Sequence, residues 1–244
     1  MNMASRAVGG DTHAAVPSMR VLPFNSPLRA IPGIDRVSRS RIYPRGAVVF
    51  HEGTVARGVY LLSSGRAKIS ISSADGRKLI MRIAGGGDVL GLYAGLTGKP
   101  FEATAEMLEG GRVDFISRQD LLNLIGRPST AGFDLVEMFS RQFSELVDHT
   151  RMLLLSESAL EKLARLIMRW GRDFGEQTQD GIRVKVLLTQ EEMAQVIGAS
   201  RETVTRLFSS LKRDQIIRVK RDSIWIRNRD ALASLAQLSP EMCG

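Results

Sequence analysis

The sequence predicts an α+β chain: an N-terminal antiparallel β-roll of jelly-roll type, one long dimerisation helix, and a C-terminal winged helix-turn-helix. Three observations predict it. Residues from about Ile42 to Ser117 break into short apolar runs separated by glycine turns, the text of an antiparallel sandwich or roll. Residues 129–155 carry a helical apolar period on two sides. Residues 188–226 read as two short capped helices followed by two short strands. At 244 residues the chain has room for two cores. The expected boundaries are a disordered tail over 1–23, the roll over 24–128, the long helix over 129–156 and the winged domain over 157–244.

Residues 1–23 mix polar residues, glycine and alanine without a period, too little apolar surface to offset ordering. Arg29, Arg36, Arg39, Arg41 and Arg45 follow as a basic cluster, with Asp35 the one acid nearby, and a solvated surface is the simplest reading. Strands are expected at Ala47–Phe50, Val59–Leu62, Ala67–Ile71 and Leu79–Ile83, with turns at Glu52-Gly53, Ser64-Gly65, Asp75-Gly76 and Gly85–Asp88. Val59, Leu61, Ile83, Leu90, Leu92, Phe101 and Met107 are candidates to line or fill the roll interior. A short helix is expected over Asp120–Ile125.

In the long helix, Leu135, Phe139, Leu146 and Leu153 form one seam, interrupted by Gln142 and His149, while Val136, Phe143, Val147 and Leu154 form a second. A helix apolar on two sides needs two covers. Its own roll supplies one and a second copy of the chain the other, through a twofold seam of Leu135, Phe139, Leu146, His149 and Leu153. Leu160, Leu163, Ile167 and Trp170 mark the next helix, expected to end near Gly171. Val184–Leu187 reads as a short strand, and Asp230–Leu238 as a final helix.

Between them lies the most specific text. Thr189 and Glu192 have capping-box spacing, Met193, Val196 and Ile197 share one apolar face, and Gly198 suits a left-handed helix end. Ser200 can cap a second helix whose apolar stripe is Val204, Leu207, Phe208 and Leu211. Arg201, Glu202, Thr205 and Arg206 project elsewhere, as on a helix that reads a major groove. An arginine fork bonds guanine O6 and N7, a glutamate accepts from cytosine N4, and a threonine touches a thymine methyl or a phosphate. Ile217–Ile226 reads as a two-stranded wing. Thr189, Ser200, Ser209, Arg218, Lys220 and Arg221 are the candidate phosphate contacts.

The run Gly198-Ala199-Ser200-Arg201-Glu202-Thr203-Val204-Thr205-Arg206 resembles the recognition segment of the cyclic AMP receptor protein and fumarate–nitrate regulator (Crp–Fnr) family of bacterial transcription factors. The roll's turn spacing resembles that family's effector domain, so the resemblance spans roughly residues 40–235. It implies Arg201, Glu202 and Arg206 as base readers of a TGTGA-type half-site. Glu202–Arg206 nearly fits the alternative Glu-x-x-Ser-Arg pattern of TTGAT-type readers, with Thr205 in place of serine, so both half-sites stay open. The resemblance also implies a cyclic-nucleotide cassette of Gly-Glu followed by Arg-Ser/Thr-Ala. Here Leu92 follows Gly91 where glutamate is expected, and the arginine position falls at or beside Glu102, a carboxylate that would repel phosphate. Gly91, Leu92, Phe101, Glu102 and Thr104 form the candidate effector pocket, with weak or no cyclic AMP binding expected. A divergent pocket for a cyclic nucleotide or another small effector is the alternative.

Composition narrows the classes. A formal net charge of +8 favours polyanionic partners. The single cysteine, Cys243, excludes an intrachain disulfide and a four-cysteine iron–sulfur cluster. The three histidines, His13, His51 and His149, are too scattered for a cupin-type metal site, so no metal, cofactor or catalysis is expected. With no apolar run long enough to span a bilayer and no signal core, a cytoplasmic protein away from membranes is expected. The expected partners are double-stranded DNA, a second copy of the chain and RNA polymerase, with a small effector left unidentified.

Overall fold

The computed structural model describes residues 34–126 and 131–237. The tail 1–23, Arg29, His13, the first residues of the expected long helix and Cys243 lie outside them.

A single turn, α1 (Ile34–Val37), leads into two four-stranded antiparallel sheets. One has the order β1 (Ser38–Tyr43), β8 (Gly111–Ser117), β3 (Gly58–Leu62), β6 (Val89–Leu90). The other runs β2 (Val48–Phe50), β7 (Thr104–Glu109), β4 (Arg66–Ser72), β5 (Lys78–Ala84). Every expected strand is present. β1 adds to them and has a polar pattern: it is an edge strand whose middle residues, Arg39 to Ile42, are exposed. Arg39 and Arg41 of the expected basic cluster thus lie on a sheet edge, where charge discourages strand addition from another chain. A short helix α2 (Leu92–Thr97), also beyond the expected elements, joins the sheets.

Between the sheets, Val49, Phe50, Leu62, Leu90, Phe101 and Met107 form one apolar cluster. Val59, Leu61, Leu92, Ile116, Leu121, Leu135 and Met138 form another against α3 (Arg118–Ile125) and α4 (Ala131–Leu155). Ile83 departs from expectation. It lies on the outer face of its sheet and packs with Ile80 and Leu108 against the C-terminal domain.

α4 carries the main correction. Leu135 (4% exposed) and His149 (5%) are buried against the chain itself, together with Met138, and Gln142 donates to the carbonyl of Val89 at 3.1 Å. Leu153 is half-buried and meets the turn at Gly198. The outward stripe is Val136 (63% exposed), Phe139 (45%), Phe143 (59%) and Leu146 (41%), continued by Leu154 (75%). So of the expected seam, Phe139 and Leu146 face out while Leu135, His149 and Leu153 do not. The outward spacing of three, four and three residues is that of a coiled-coil seam. The covered face is polar at Gln142, Glu145 and His149, so a hydrophobicity pattern assigns it to the wrong side.

α5 (Ala159–Phe174) runs past Gly171. A side chain at Gly171 would begin 2.6 Å from Ile226 Cδ1, so this glycine marks a close approach rather than a helix end. The third sheet has the order β11 (Ile217–Lys220), β12 (Ser223–Ile226), β10 (Gly181–Lys185), β9 (Glu176–Thr178), followed by α8 (Arg229–Leu235). Among the described residues no helix is long and apolar enough to cross a membrane.

Candidate nucleic-acid interface

The site rests on α6 (Gln190–Ile197) and α7 (Arg201–Arg213). Thr189 accepts from the Glu192 N–H at 3.2 Å and the Glu192 carboxylate accepts from the Thr189 N–H at 2.8 Å, which completes the capping box. Gly198 ends α6 at φ 65°, in the left-handed region, and the Ala199 N–H returns to the carbonyl of Ala194 at 3.0 Å. Ser200 then caps α7 by accepting from the Thr203 N–H at 3.1 Å.

Val204, Phe208 and Leu211, all within 3% exposure, bury one face of α7 with Met193, Ile197, Leu163 and Ile167. That burial leaves Arg201, Glu202, Thr205, Arg206 and Ser209 on the open face. The helix is oriented by its apolar stripe, and the polar face follows at 100° per residue. The Glu202 carboxyl is held below the usual carboxylate range, first by its own backbone N–H, then by the Ser200 hydroxyl and Arg201. It is therefore an ionised acceptor. Thr205 Oγ1 lies 2.6 Å from Gln190 Oε1 and 3.0 Å from the Arg201 carbonyl. Gln190, not among the expected site residues, thereby joins the open face. Its position directly after the capping threonine is the signal in the sequence that points to it.

The expected phosphate contacts divide. The hydroxyls of Thr189, Ser200 and Ser209 donate within the chain, to Glu192, Thr203 and the carbonyl of Thr205. Their role here is capping and back-bonding. In the wing, β11 and β12 are joined by Arg221-Asp222, with Arg221 at φ 54°. Arg218 pairs with Asp180 across 3.2 Å and so ties the wing to the β9–β10 turn. Lys220 and Arg221 are exposed at the tip, and among the described residues neither has a carboxylate within ion-pair distance.

The candidate effector positions do not assemble as expected. Leu92 is 2% exposed and sits in the apolar cluster under α4. Glu102 is exposed, in the bend just before β7, while its neighbours Phe101 and Ala103 are buried. A methyl group, Ala103, occupies the inward position beside it. Thr104 Oγ1 accepts from the Glu52 N–H at 3.0 Å. Gly91, at φ 68°, lies against the Phe101 ring, where a side chain would begin 2.4 Å from Cε1. Where α4 crosses β5, the cations are already paired: Arg82 with Asp88 and Glu145, and Arg141 with Asp88.

The roll and the winged domain touch directly. Lys68 Nζ on β4 lies 3.0 Å from Glu106 on β7 and 2.8 Å from Glu192 on α6. Burial lowers the Lys68 pKa, but the hydrogen bonds to Glu192 and Glu106 outweigh it and hold the ammonium above its ordinary value.

Residues 161–235 match the family described as Crp-like helix-turn-helix domain, and residues 40–127 match the cyclic nucleotide-binding domain. A CRP-like cAMP-activated global transcriptional regulator of Mycobacterium tuberculosis is 28% identical over 195 residues, covering 80% of this chain and 87% of that protein. The anaerobic regulatory protein of Bacillus subtilis is 26% identical over 201 residues, covering 82% and 84%. In three dimensions a CRP-family transcriptional regulator from Thermus thermophilus superposes with a TM-score of 0.70 at 22% identity, covering 82% of this chain and 97% of that one.

Proposed function

The chain belongs to the Crp–Fnr family of DNA-binding transcription regulators, and from that premise we propose that it acts as a homodimer on a palindromic site, one α7 per half-site, without control by cyclic AMP. Members of the family are transcription regulators, which are not enzymes. The observation that carries the reading is the open N-terminal face of α7: Arg201, Glu202 and Arg206 are exposed beside a wing tipped by Lys220 and Arg221. The exposed stripe on α4 supports pairing with a second copy, since an aromatic, aliphatic face this long is costly in water. Cyclic AMP independence is supported by Leu92 filling the core, by the methyl of Ala103 inside the roll, and by Glu102 turned outward. RNA polymerase is the expected protein partner of the bound dimer.

Selection of bound sequences from a random DNA pool tests the reading. The expected product is a twofold-symmetric site with half-sites centred about 10 base pairs apart. Arg206→Ala is expected to weaken the selected site by about 1–3 kcal/mol and to relax preference at one position of each half-site. Recovery of an asymmetric or featureless pool, or equal losses on selected and random DNA, overturns it.

A further inference from the structure

We infer that the roll carries a binding site for a small flat organic anion that shares only Phe101 with the candidate effector positions. The site is a cavity of about 600 Å³ that opens between the edge strand β1 of one sheet and the edge strand β2 of the other, beneath the 51–57 loop. That volume is in the range of natural small-molecule pockets.

Its floor is aromatic. The rings of Phe101 and Phe50 stack at 3.9 Å and 18°, Phe50 and Tyr60 follow at 5.5 Å, and Tyr60 and Phe115 at 5.1 Å. These four rings form a ladder whose faces and edges suit another flat π-system. Its rim is cationic: Arg39, Arg41 and Arg57 all border the opening, and among the described residues no carboxylate does. Among the described residues none of the three has a carboxylate within ion-pair distance, whereas Arg82, Arg112, Arg165 and Arg218 elsewhere each have one. Arginine forks without a protein counterion beside a π-floor recognise a carboxylate or comparable oxyanion on an aromatic ring.

The walls are held in place. The 51–57 loop is pinned to Phe101 by two backbone hydrogen bonds, Gly53 N–H to Phe101 O at 2.8 Å and Phe101 N–H to Thr54 O at 2.9 Å, with a β-bridge from Val55 to Pro100. Val55 is 71% exposed at the mouth, an aliphatic group with nothing over it among the described residues. Leu92 and Glu102 take no part in lining the cavity, so the site does not depend on the cassette. Phe101 does connect the two regions, because its ring atoms Cδ1 and Cε1 rest on Gly91 at the start of α2.

Calorimetry on the full chain without DNA tests the site, so its failure is distinct from failure of DNA reading. The probes are 1-naphthoate and its neutral amide, 1-naphthamide. The expected result is saturable binding of one 1-naphthoate per chain, with the amide at least about tenfold weaker. The double variant Arg41→Gln/Arg57→Gln is expected to lose at least about tenfold in 1-naphthoate affinity, whereas Arg172→Gln, which removes an exposed charge from α5, leaves it unchanged. Should the double variant fail to fold, Val55→Trp, which closes the mouth from an exposed position, is expected to abolish binding. Equal affinity for acid and amide, unchanged affinity in both cavity variants, or no saturable binding at millimolar 1-naphthoate overturns the proposal.

Discussion

Among single residues, His149 shows how context reverses a first reading. On the sequence it interrupts an apolar seam and is placed between subunits. In the fold it is buried against its own chain, and among the described residues Nε2 has no hydrogen-bond partner. Burial, and secondarily the charge of Arg169, lowers its pKa to about 4, so the ring is neutral near pH 7. Because the folded value lies below the unfolded one, the unfolded chain binds the proton more tightly. The stabilising contribution is complete above about pH 6.5 and is lost as pH falls toward 4. Its size is about 3 kcal/mol from the shift. Denaturant titrations of wild type between pH 7 and pH 4 should therefore show a decline that His149→Phe flattens, and a variant retaining the full decline would assign it to other groups.

Among the elements, helix α4 carries the face proposed to pair with a second copy. Its outward stripe of Val136, Phe139, Phe143 and Leu146 is rotated from the expected seam, and the inward face is tied down by Gln142 and Glu145. Phe143→Glu places a charge in the middle of the open stripe and touches nothing on the covered side. The expectation is a monomer by light scattering at micromolar concentration, with the helical circular dichroism and thermal midpoint of the subunit's core retained. An unchanged dimer mass would remove this stripe from the interface.

Across the whole molecule, the roll and the reading head are joined through Lys68, Glu106 and Glu192, together with the apolar contact of Ile80, Ile83 and Leu108. Glu192 serves twice, as the box of α6 and as the acceptor for Lys68. Its carboxyl is raised by burial but held lower overall by the Lys68 and Thr189 hydrogen bonds. Glu192→Gln preserves the capping box, so a cycle with Lys68→Met isolates the contact between domains. We expect Lys68→Met to cost about 1.5–3 kcal/mol of stability, the range for a hydrogen bond to a charged group. Coupling to Glu192→Gln should reach about 1 kcal/mol, and strict additivity would show that the contact does not hold the domains together.

The layers, the capped helices α6 and α7 and the identity of the open face of α7 are all legible in the chain before it folds. Those features depend on local rules: glycine turns, capping side chains and a 3.6-residue period act within a few neighbours. Which side of α4 is covered is settled by packing alone. There the inward face carries Gln142, paired with a strand carbonyl, Glu145, paired with an arginine on another strand, and His149, buried as a neutral ring, with neither pairing partner near in sequence. The same holds for Gly171, read as a helix end but placed by contact with Ile226, and for Glu102, read as a pocket position but exposed in the bend before β7. The ring ladder of Phe50, Tyr60, Phe101 and Phe115 joins four separate segments through contacts that span tens of residues. Sites assembled that way leave no period in the chain to read.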